Sequence, residues 1–116
     1  MPLMSMKTQE LFETMWFHSA TESLDGMRKL DCGWLQYHTA AWCKPCQRLD
    51  IESIVKIAES KGLTVWKIDA DENDYTSGYC GVRSIPTWQF CQPRKIVATI
   101  KESDTQKIID WIEKLE

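Results

Sequence analysis

Two cysteines separated by two residues, Cys43 and Cys46, form the part of this sequence that could most readily carry chemistry. They lie in the run Trp42-Cys43-Lys44-Pro45-Cys46, after a strand-like segment and at the start of a helix-like one. A thiol reacts as its thiolate, and the free N–H groups at a helix N-terminus stabilise negative charge on a nearby sulfur. The spacing and the setting therefore predict a dithiol that exchanges electrons with protein disulfides.

The residues between the cysteines support an assignment of roles. Lys44 adds a positive charge that favours the Cys43 thiolate, and Pro45 suits the first helical turn, where its missing N–H costs nothing. Cys46 lies one turn further along, is expected to be the more buried of the two, and can form a disulfide with Cys43. We therefore expect Cys43 to attack a substrate disulfide and Cys46 to resolve the resulting mixed disulfide.

Two other interpretations of the cysteine pair are open at this point. A zinc site needs four ligands, commonly two such pairs, and the sequence has no second close pair. The two histidines, His18 and His38, also lack ligand spacing, so we expect no metal site. A purely structural or coincidental pair is the second alternative, which the strand before the pair and the helix after it disfavour. The remaining cysteines are scattered along the chain, at Cys32, Cys80 and Cys91.

The segments around the pair predict the helices that must position it. Apolar residues at three- and four-residue spacing predict a helix over residues 49–58, which continues from the motif, and Gly62 suits its C-terminal end. A later helix is predicted to begin at Ser103, which with Gln106 makes a capping box. A short helix is also expected over residues 21–30.

Runs of β-branched and aromatic residues predict the strands. The predicted strands cover residues 12–18, 32–39, 63–68, 87–91 and 95–100. The last two are joined as a hairpin. Residues 1–11 are expected to be a flexible N-terminal extension or a short helix, and the folded domain is expected over residues 12–116. The order of the elements predicts an α/β fold, with a central mixed sheet flanked by helices.

Length and composition bound the class of protein. A chain of 116 residues, 43% apolar and 27% charged, suits one compact domain. The net charge of −3 and the lack of a Lys/Arg cluster argue against nucleic-acid binding. No apolar run is long enough to cross a bilayer, and the N-terminus lacks the pattern of a secretory signal. We expect a cytoplasmic monomer without membrane attachment, in which a close cysteine pair is catalytic rather than structural.

These features together resemble the thioredoxin family. The run Trp42–Cys46 matches the family's Trp-Cys-Gly-Pro-Cys active site with Lys in place of Gly. Residues 82–87, Val-Arg-Ser-Ile-Pro-Thr, are similar to its second signature, and residues 67–71 look like the end of its central strand. The resemblance runs from about Leu24 to the C-terminus. Because two separated motifs lie at the expected distance from each other, it implies a thioredoxin-like fold.

The resemblance also implies a substrate groove beside the dithiol. It implies a cis peptide bond between Ile85 and Pro86 that faces the dithiol, so that Ile85 can pair with an extended substrate segment. Trp42 would cover the rim of this site. The family uses no cofactor other than its redox-active disulfide. The implied partners are a thioredoxin reductase-like flavoprotein and disulfide-containing protein substrates.

The sequence departs from the family pattern at three positions. Tyr37 stands where the family has a buried Asp that helps the resolving cysteine to lose its proton, so activation of Cys46 would need Lys67, a water or the substrate. Lys44 should stabilise the reduced form and make the protein somewhat more oxidising. Glu102 lies near a groove glycine of the family. Its carboxylate would crowd the substrate or select basic partners, unless the loop simply runs differently.

The leading hypothesis is a small thioredoxin-type enzyme that reduces protein disulfides, with roles in electron transport and cell redox homeostasis. The nearest alternative is the same chemistry used by a weak oxidant or an isomerase, which Lys44 and the missing Asp favour. A third hypothesis is a binding subunit of a larger complex, in which the dithiol is incidental. Cys32 and Cys91 are expected to be small core residues. Cys80 is expected to be either a regulatory or glutathionylated thiol or a semi-buried bystander.

Overall fold

The computed structural model describes residues 4–18 and 33–115 of the chain. Within these residues the elements are, in chain order, β1 (Met4–Ser5), α1 (Gln9–Glu13), β2 (Trp34–Thr39), α2 (Lys44–Gln47), α3 (Ile51–Ser60), β3 (Val65–Asp69), α4 (Asp74–Tyr79), β4 (Thr87–Gln92), β5 (Lys95–Ile100) and α5 (Thr105–Glu113). A π-helical turn, Thr14–His18, directly follows α1.

The strands form one mixed sheet in the order β1-β3-β2-β4-β5. β3 pairs in parallel with β1 and β2, whereas β4 pairs antiparallel with β2 and β5. β2 is therefore the central strand, and all six of its residues are buried. The cysteine pair follows the carboxyl end of β2, the side of a sheet on which α/β proteins commonly place their ligand sites.

A hydrophobic core covers each face of the sheet. Successive residues of a strand point to opposite faces, so Leu35 and Tyr37 of β2 pack on one side and Trp34 on the other. The core on the α3/α5 face also contains Ile54, Val55, Ala58, Trp88, Phe90, Ile108 and Ile112. The core on the α1/α4 face also contains Met6, Phe12, Trp16, Ile68, Cys80 and Cys91. The predicted α/β fold with helices on both faces of a mixed sheet is confirmed.

The strand predicted over residues 12–18 is wrong, because this segment is helical. α1 begins after Thr8, whose hydroxyl oxygen accepts the backbone N–H of Leu11 at 3.1 Å. Phe12 and Trp16 stand four residues apart, and both rings are buried with their centroids 5.3 Å apart. Four-residue spacing places side chains on one face of a helix. The apolar run is thus a helical stripe that closes the α1/α4 core.

The segment expected to form an N-terminal extension belongs to the domain from residue 4 onward. β1 pairs with β3, and the backbone N–H of Met6 donates to the Lys67 carbonyl at 2.8 Å. The Met6 side chain is only 1% exposed. Residues 4–11 therefore supply the edge strand, the start of α1 and part of the core.

The helical segment after the cysteine pair is divided in two. α2 ends at Gln47, and α3 begins at Ile51 with its own N-cap, Asp50. The Asp50 carboxylate accepts the backbone N–H and the hydroxyl of Ser53, at 3.2 and 2.8 Å. Such a cap stabilises a helix by about 1 kcal/mol. The cysteine pair consequently lies on a four-residue helix, and not on the first turn of the long helix, as the sequence suggests.

Other boundaries follow the predictions with small changes. The hairpin is confirmed, with β4 and β5 joined by a turn that places Arg94 in the left-handed region at φ 63°. The predicted capping box of Ser103 and Gln106 is wrong. The α5 cap is Asp104, whose carboxylate accepts the backbone N–H of Lys107 at 3.2 Å.

Two further predictions, a helix and a core cysteine, fall between the two described parts of the chain. The helix predicted over residues 21–30 and the core residue Cys32 lie outside the described residues. Among the helices of residues 4–18 and 33–115, none combines the length and the apolar character needed to span a bilayer.

We expect Gly33→Ala to destabilise the protein by about 2 kcal/mol, because the start of β2 has no room for a side chain. A Cβ atom at Gly33 would lie 2.7 Å from the Cys91 carbonyl oxygen and would overlap the Phe90 ring. Pairing between β2 and β4 prevents that carbonyl from moving away. Urea unfolding followed by tryptophan fluorescence measures the effect.

Gly78→Ala is the matched control for this substitution. Gly78 lies inside α4, and no heavy atom lies within 4 Å of its hypothetical Cβ. We expect alanine there to stabilise the protein by about 0.5–1 kcal/mol. Equal unfolding midpoints for the two variants would contradict the steric argument.

Candidate active site

The cysteine pair forms a disulfide in this structure, with the two Cα atoms 5.3 Å apart. Cys43 is the N-cap of α2, and its sulfur accepts the backbone N–H of Cys46 at 3.2 Å. Pro45 occupies the first turn, as predicted, and brings no N–H of its own. The amide of Cys46 is thus an N–H donor aimed at the Cys43 sulfur, and such a donor stabilises a thiolate.

The two cysteines are buried to a similar degree. Cys43 is 2% exposed and Cys46 is 4% exposed, so the expectation that Cys46 is the more buried residue is wrong for the oxidised protein. The two form a small cluster with Ala40, against which Ile85 packs. The disulfide ring places both sulfurs under this apolar cover.

Two lysines belong to the surroundings of the dithiol. Lys44 is exposed on α2, directly after Cys43. Lys67 of β3 lines a cavity of about 200 Å³ together with Cys46 and Asp69. The structure therefore brings Lys67 and Cys46 to one cavity, and a role of Lys67 in the activation of Cys46 stays a prediction.

Tyr37 belongs to the core and not to the proton chemistry of the site. Its ring stacks on Trp88 with the centroids 4.4 Å apart and the planes at 16°. Burial raises the pKa of the Tyr37 phenol above its ordinary value, and a side-chain hydrogen bond with Thr39 opposes this shift. The phenol is accordingly neutral at physiological pH, and it cannot replace a carboxylate as a base.

The segment before β4 supplies the other side of the site. The peptide bond between Ile85 and Pro86 is cis, as the resemblance implies. Ile85 packs against the cysteine cluster, so the two separated motifs meet in space. A cavity of about 280 Å³ lies beside them and is lined by Trp42, Ala70, Ser77, Val82, Arg83, Ser84 and Ile85.

Trp42 lines the cavity beside Ile85 and is 66% exposed, and its role as a cover of the dithiol stays a prediction. Its indole N–H donates to the Asp71 carboxylate at 2.8 Å. Asp71 was not predicted from the sequence, although it belongs to the acidic turn after β3. The bond fixes the direction in which the Trp42 ring projects from the rim.

Glu102 lies between β5 and α5 and is partly buried. Its carboxylate accepts the backbone N–H of the next residue, Ser103, at 3.2 Å. This is a local contact within the loop, and the proposed effect of Glu102 on substrate choice stays a prediction.

The two free cysteines of the described residues are unlike the reactive pair. Cys80 is buried, and burial raises the pKa of its thiol, while a hydrogen bond from Gln36 opposes the shift. Cys91 is a core residue, as predicted, and burial together with the nearby Cys80 raises the pKa of its thiol well above the ordinary value. Buried thiols with raised pKa are unreactive, so the interpretation of Cys80 as a bystander fits better than a regulatory role.

A buried polar cluster near the site was missed by sequence reasoning. The imidazole of His38 lies 3.0 Å from the Ser77 hydroxyl through Nδ1 and 3.0 Å from the Gln89 amide oxygen through Nε2. The Gln89 amide nitrogen donates to the Cys80 carbonyl at 3.1 Å. Gln36 completes the cluster by donating to the same Gln89 oxygen at 3.5 Å. Within residues 4–18 and 33–115, no group of three His, Cys, Asp or Glu side chains could hold a metal ion.

Comparison with known proteins gives relatives of this chain. A family model described as Thioredoxin matches residues 25–114. A thioredoxin from Rhodospirillum rubrum is 36% identical over 77 residues, covering 64% of this chain and 73% of that protein. A thioredoxin from Geodia cydonium is 33% identical over 60 residues, covering 52% of this chain and 57% of that protein. The solved structure of a Plasmodium falciparum thioredoxin covers 97% of this chain and 99% of its own, with a TM-score of 0.77; at 18% identity this likeness shows a common fold. The match to the Geodia cydonium thioredoxin therefore spans little more than half of that protein's length.

Proposed function

Because this chain belongs to the thioredoxin family, we propose that it is a thiol–disulfide oxidoreductase that reduces the disulfides of other proteins. The observation that carries this proposal is the Cys43–Cys46 disulfide at the start of α2, with a backbone N–H aimed at the Cys43 sulfur. A pair of cysteines within bonding distance of each other can accept and return two electrons without a cofactor.

The proposed reaction has two exchange steps. The Cys43 thiolate attacks one sulfur of the substrate disulfide, forms a mixed disulfide, and releases the other substrate sulfur as a thiolate that takes up a proton. Cys46 then loses its proton and attacks the Cys43 sulfur, which closes the Cys43–Cys46 disulfide and releases the second substrate thiol. The substrate disulfide has gained the two electrons that the protein dithiol has lost. Ile85, beside the dithiol, would align the substrate chain by backbone pairing.

We further propose a flavoprotein reductase of the thioredoxin reductase type as the partner that returns the two electrons. Protein disulfides would be the substrates, and the protein would act in cytoplasmic electron transport and redox homeostasis.

Reduction of insulin with dithiothreitol as the electron source tests the proposed function. The wild type should accelerate the precipitation of the insulin B chain, and Cys43→Ser should reduce the rate to that of dithiothreitol alone. Cys80→Ser is the control, since it alters a buried thiol outside the reactive pair, and it should behave like the wild type. Equal rates for the wild type and Cys43→Ser would refute the proposal.

A weak oxidant or isomerase is the second candidate, and the exposed Lys44 next to the nucleophile favours it. We expect Lys44→Gln to make the reduction potential more negative by about 10–20 mV, because the loss of a nearby cation destabilises the thiolate of the reduced form. Equilibration with glutathione measures the potential. The shift should shrink in 1 M salt, where charges are screened over about 3 Å. A less negative potential in the variant would contradict this account of Lys44.

A further inference from the structure

The buried polar cluster has one definite hydrogen-bond direction. The Cys80 carbonyl can only accept, so the Gln89 amide nitrogen faces it and the Gln89 amide oxygen faces His38. That oxygen can only accept, so the proton of the neutral imidazole lies on Nε2. The other imidazole nitrogen, Nδ1, then accepts the hydroxyl proton of Ser77. The order of donors is therefore Ser77 to His38 to Gln89 to Cys80.

This series of hydrogen bonds ends at Cys80, directly before the segment of residues 81–86 that leads to the dithiol. Cys80 closes α4, and residues 81–86 run from it to the cis peptide bond and β4. Ile85, near the end of this segment, packs on the cysteine cluster. At the other end of the chain of bonds, Ser77 lines the cavity beside the dithiol. The polar cluster thus connects two strands of the sheet to the substrate side of the site.

We propose that Gln89 is a positioning residue for disulfide exchange. Its amide, oriented by the buried imidazole of His38, fixes the Cys80 carbonyl and so sets the position of residues 81–86 relative to the dithiol. This inference rests on the proposed function, because it assigns Gln89 a part in the alignment of a protein substrate.

Because the polar cluster is buried, its hydrogen bonds hold the Cys80 carbonyl in one position. His38 is 0% exposed and Gln89 is 3% exposed, so water cannot replace a lost partner at low cost. A fully satisfied polar cluster in an interior favours one arrangement of its members over all others. A second contact, from the Thr87 hydroxyl to the Ser84 carbonyl at 2.6 Å, fixes the other end of the segment. Alignment of reacting groups is sensitive to small displacements of this kind.

Gln89→Met tests the proposal, because methionine keeps the length of the side chain and removes its three hydrogen bonds, with His38, Gln36 and the Cys80 carbonyl. Phe90→Leu is the matched control: Phe90 is the next residue of β4, equally buried, but packs in the core on the opposite face of the sheet. Single-turnover reduction of insulin by the pre-reduced protein gives the limiting rate and the half-saturating insulin concentration, which is called the KM for insulin below. A small aromatic disulfide, 5,5′-dithiobis(2-nitrobenzoate), reports the reactivity of the Cys43 thiol without the groove.

We expect Gln89→Met to raise the KM for insulin about tenfold, with an unchanged limiting rate and an unchanged rate towards the small disulfide. Phe90→Leu should leave all three unchanged. Amide hydrogen exchange of Gly81 and Val82, whose backbone N–H groups donate to the carbonyls of Gly78 and Ser77 at 3.1 and 2.9 Å, should be faster in Gln89→Met alone when it is measured by NMR. This readout needs no activity, so it separates failure of the inference from failure of the proposed function.

Each other outcome overturns the inference. Unchanged exchange in Gln89→Met would show that the amide does not fix the segment. Faster exchange with an unchanged KM would show that the fixed segment does not align the substrate. An equal rise of the KM in Phe90→Leu would show that the rise in Gln89→Met comes from a general loss of stability and not from the lost hydrogen bonds. If Gln89→Met does not fold, His38→Phe replaces it, because this variant removes the imidazole that orients Gln89. The same measurements apply, and we again expect a higher KM for insulin and faster amide exchange.

Discussion

Replacing Cys46 with serine should stop turnover and leave the protein covalently attached to its substrates. The first exchange needs only Cys43, whose sulfur keeps its backbone donor, whereas release needs a second thiol beside it. An intramolecular thiol acts at an effective concentration of about 10⁵ M or more. Without it, release depends on thiols in solution, and we expect insulin reduction to slow on the order of 100-fold or more.

Non-reducing electrophoresis and mass spectrometry after mixing with insulin measure the adduct. Cys46→Ser should accumulate a mixed disulfide through Cys43 that dithiothreitol releases, and the double variant with Cys43→Ser should form none. Cys80→Ser should form as little adduct as the wild type, because its alteration leaves both reacting sulfurs in place. An adduct mapped to Cys80 or Cys91 would contradict the assignment of the first attack to Cys43.

The second large effect is a loss of stability in mild acid caused by His38. Burial lowers the pKa of His38 from 6.5 to about 4, partly offset by its hydrogen bond with Gln89. Between these two pKa values the unfolded chain binds a proton that the folded protein excludes. The stabilisation is therefore fully present above about pH 6.5 and is lost progressively as the pH falls from about 6.5 to about 4. At pH 4 we expect the free energy of unfolding to be about 3 kcal/mol lower than at pH 7 because of His38.

Urea unfolding of the wild type and His38→Phe from pH 7 to pH 4 isolates this contribution. Acidic residues titrate in both proteins, so their effects cancel in the difference between the two free energies. Phenylalanine cannot take up a proton, and the advantage of the wild type at pH 7 should shrink as the pH falls. A difference that stays constant over this range would show that His38 keeps its ordinary pKa.

The reactive site could be predicted because its signals are local. Cys43, Cys46 and Pro45 occupy adjacent positions of one short segment, and their types determine the start of α2. The hairpin was likewise predicted from a short segment, and the cis peptide bond before Pro86 was implied by the family resemblance that a short motif carries. Such features need little information from the rest of the chain.

The errors arise where one local pattern fits two structures. The apolar run around Trp16 fits both a strand and the buried stripe of a helix, and packing on the α1/α4 face favours the helix. Ser103 and Asp104 are both good caps, and nothing in their types decides between them. The break before α3 also escaped prediction, although Asp50 is of a type preferred at helix N-caps.

The polar cluster could not be predicted because its members meet only through the sheet. His38 and Gln89 are far apart in sequence and lie close only because β2 and β4 pair antiparallel in this register. A signal was nevertheless present: Gln36 and His38 alternate with apolar residues on a strand that is buried on both faces. Polar residues at such positions require partners in the interior.

The break between α2 and α3 has a mechanical consequence. α3 starts from contacts of its own, since the Asp50 carboxylate accepts from Ser53 and the Asp50 backbone N–H donates to the Thr105 hydroxyl at 3.0 Å. Because α3 does not depend on the four-residue helix α2 for its own start, we expect α2 to adjust to the change between disulfide and dithiol while α3 and the sheet keep their positions.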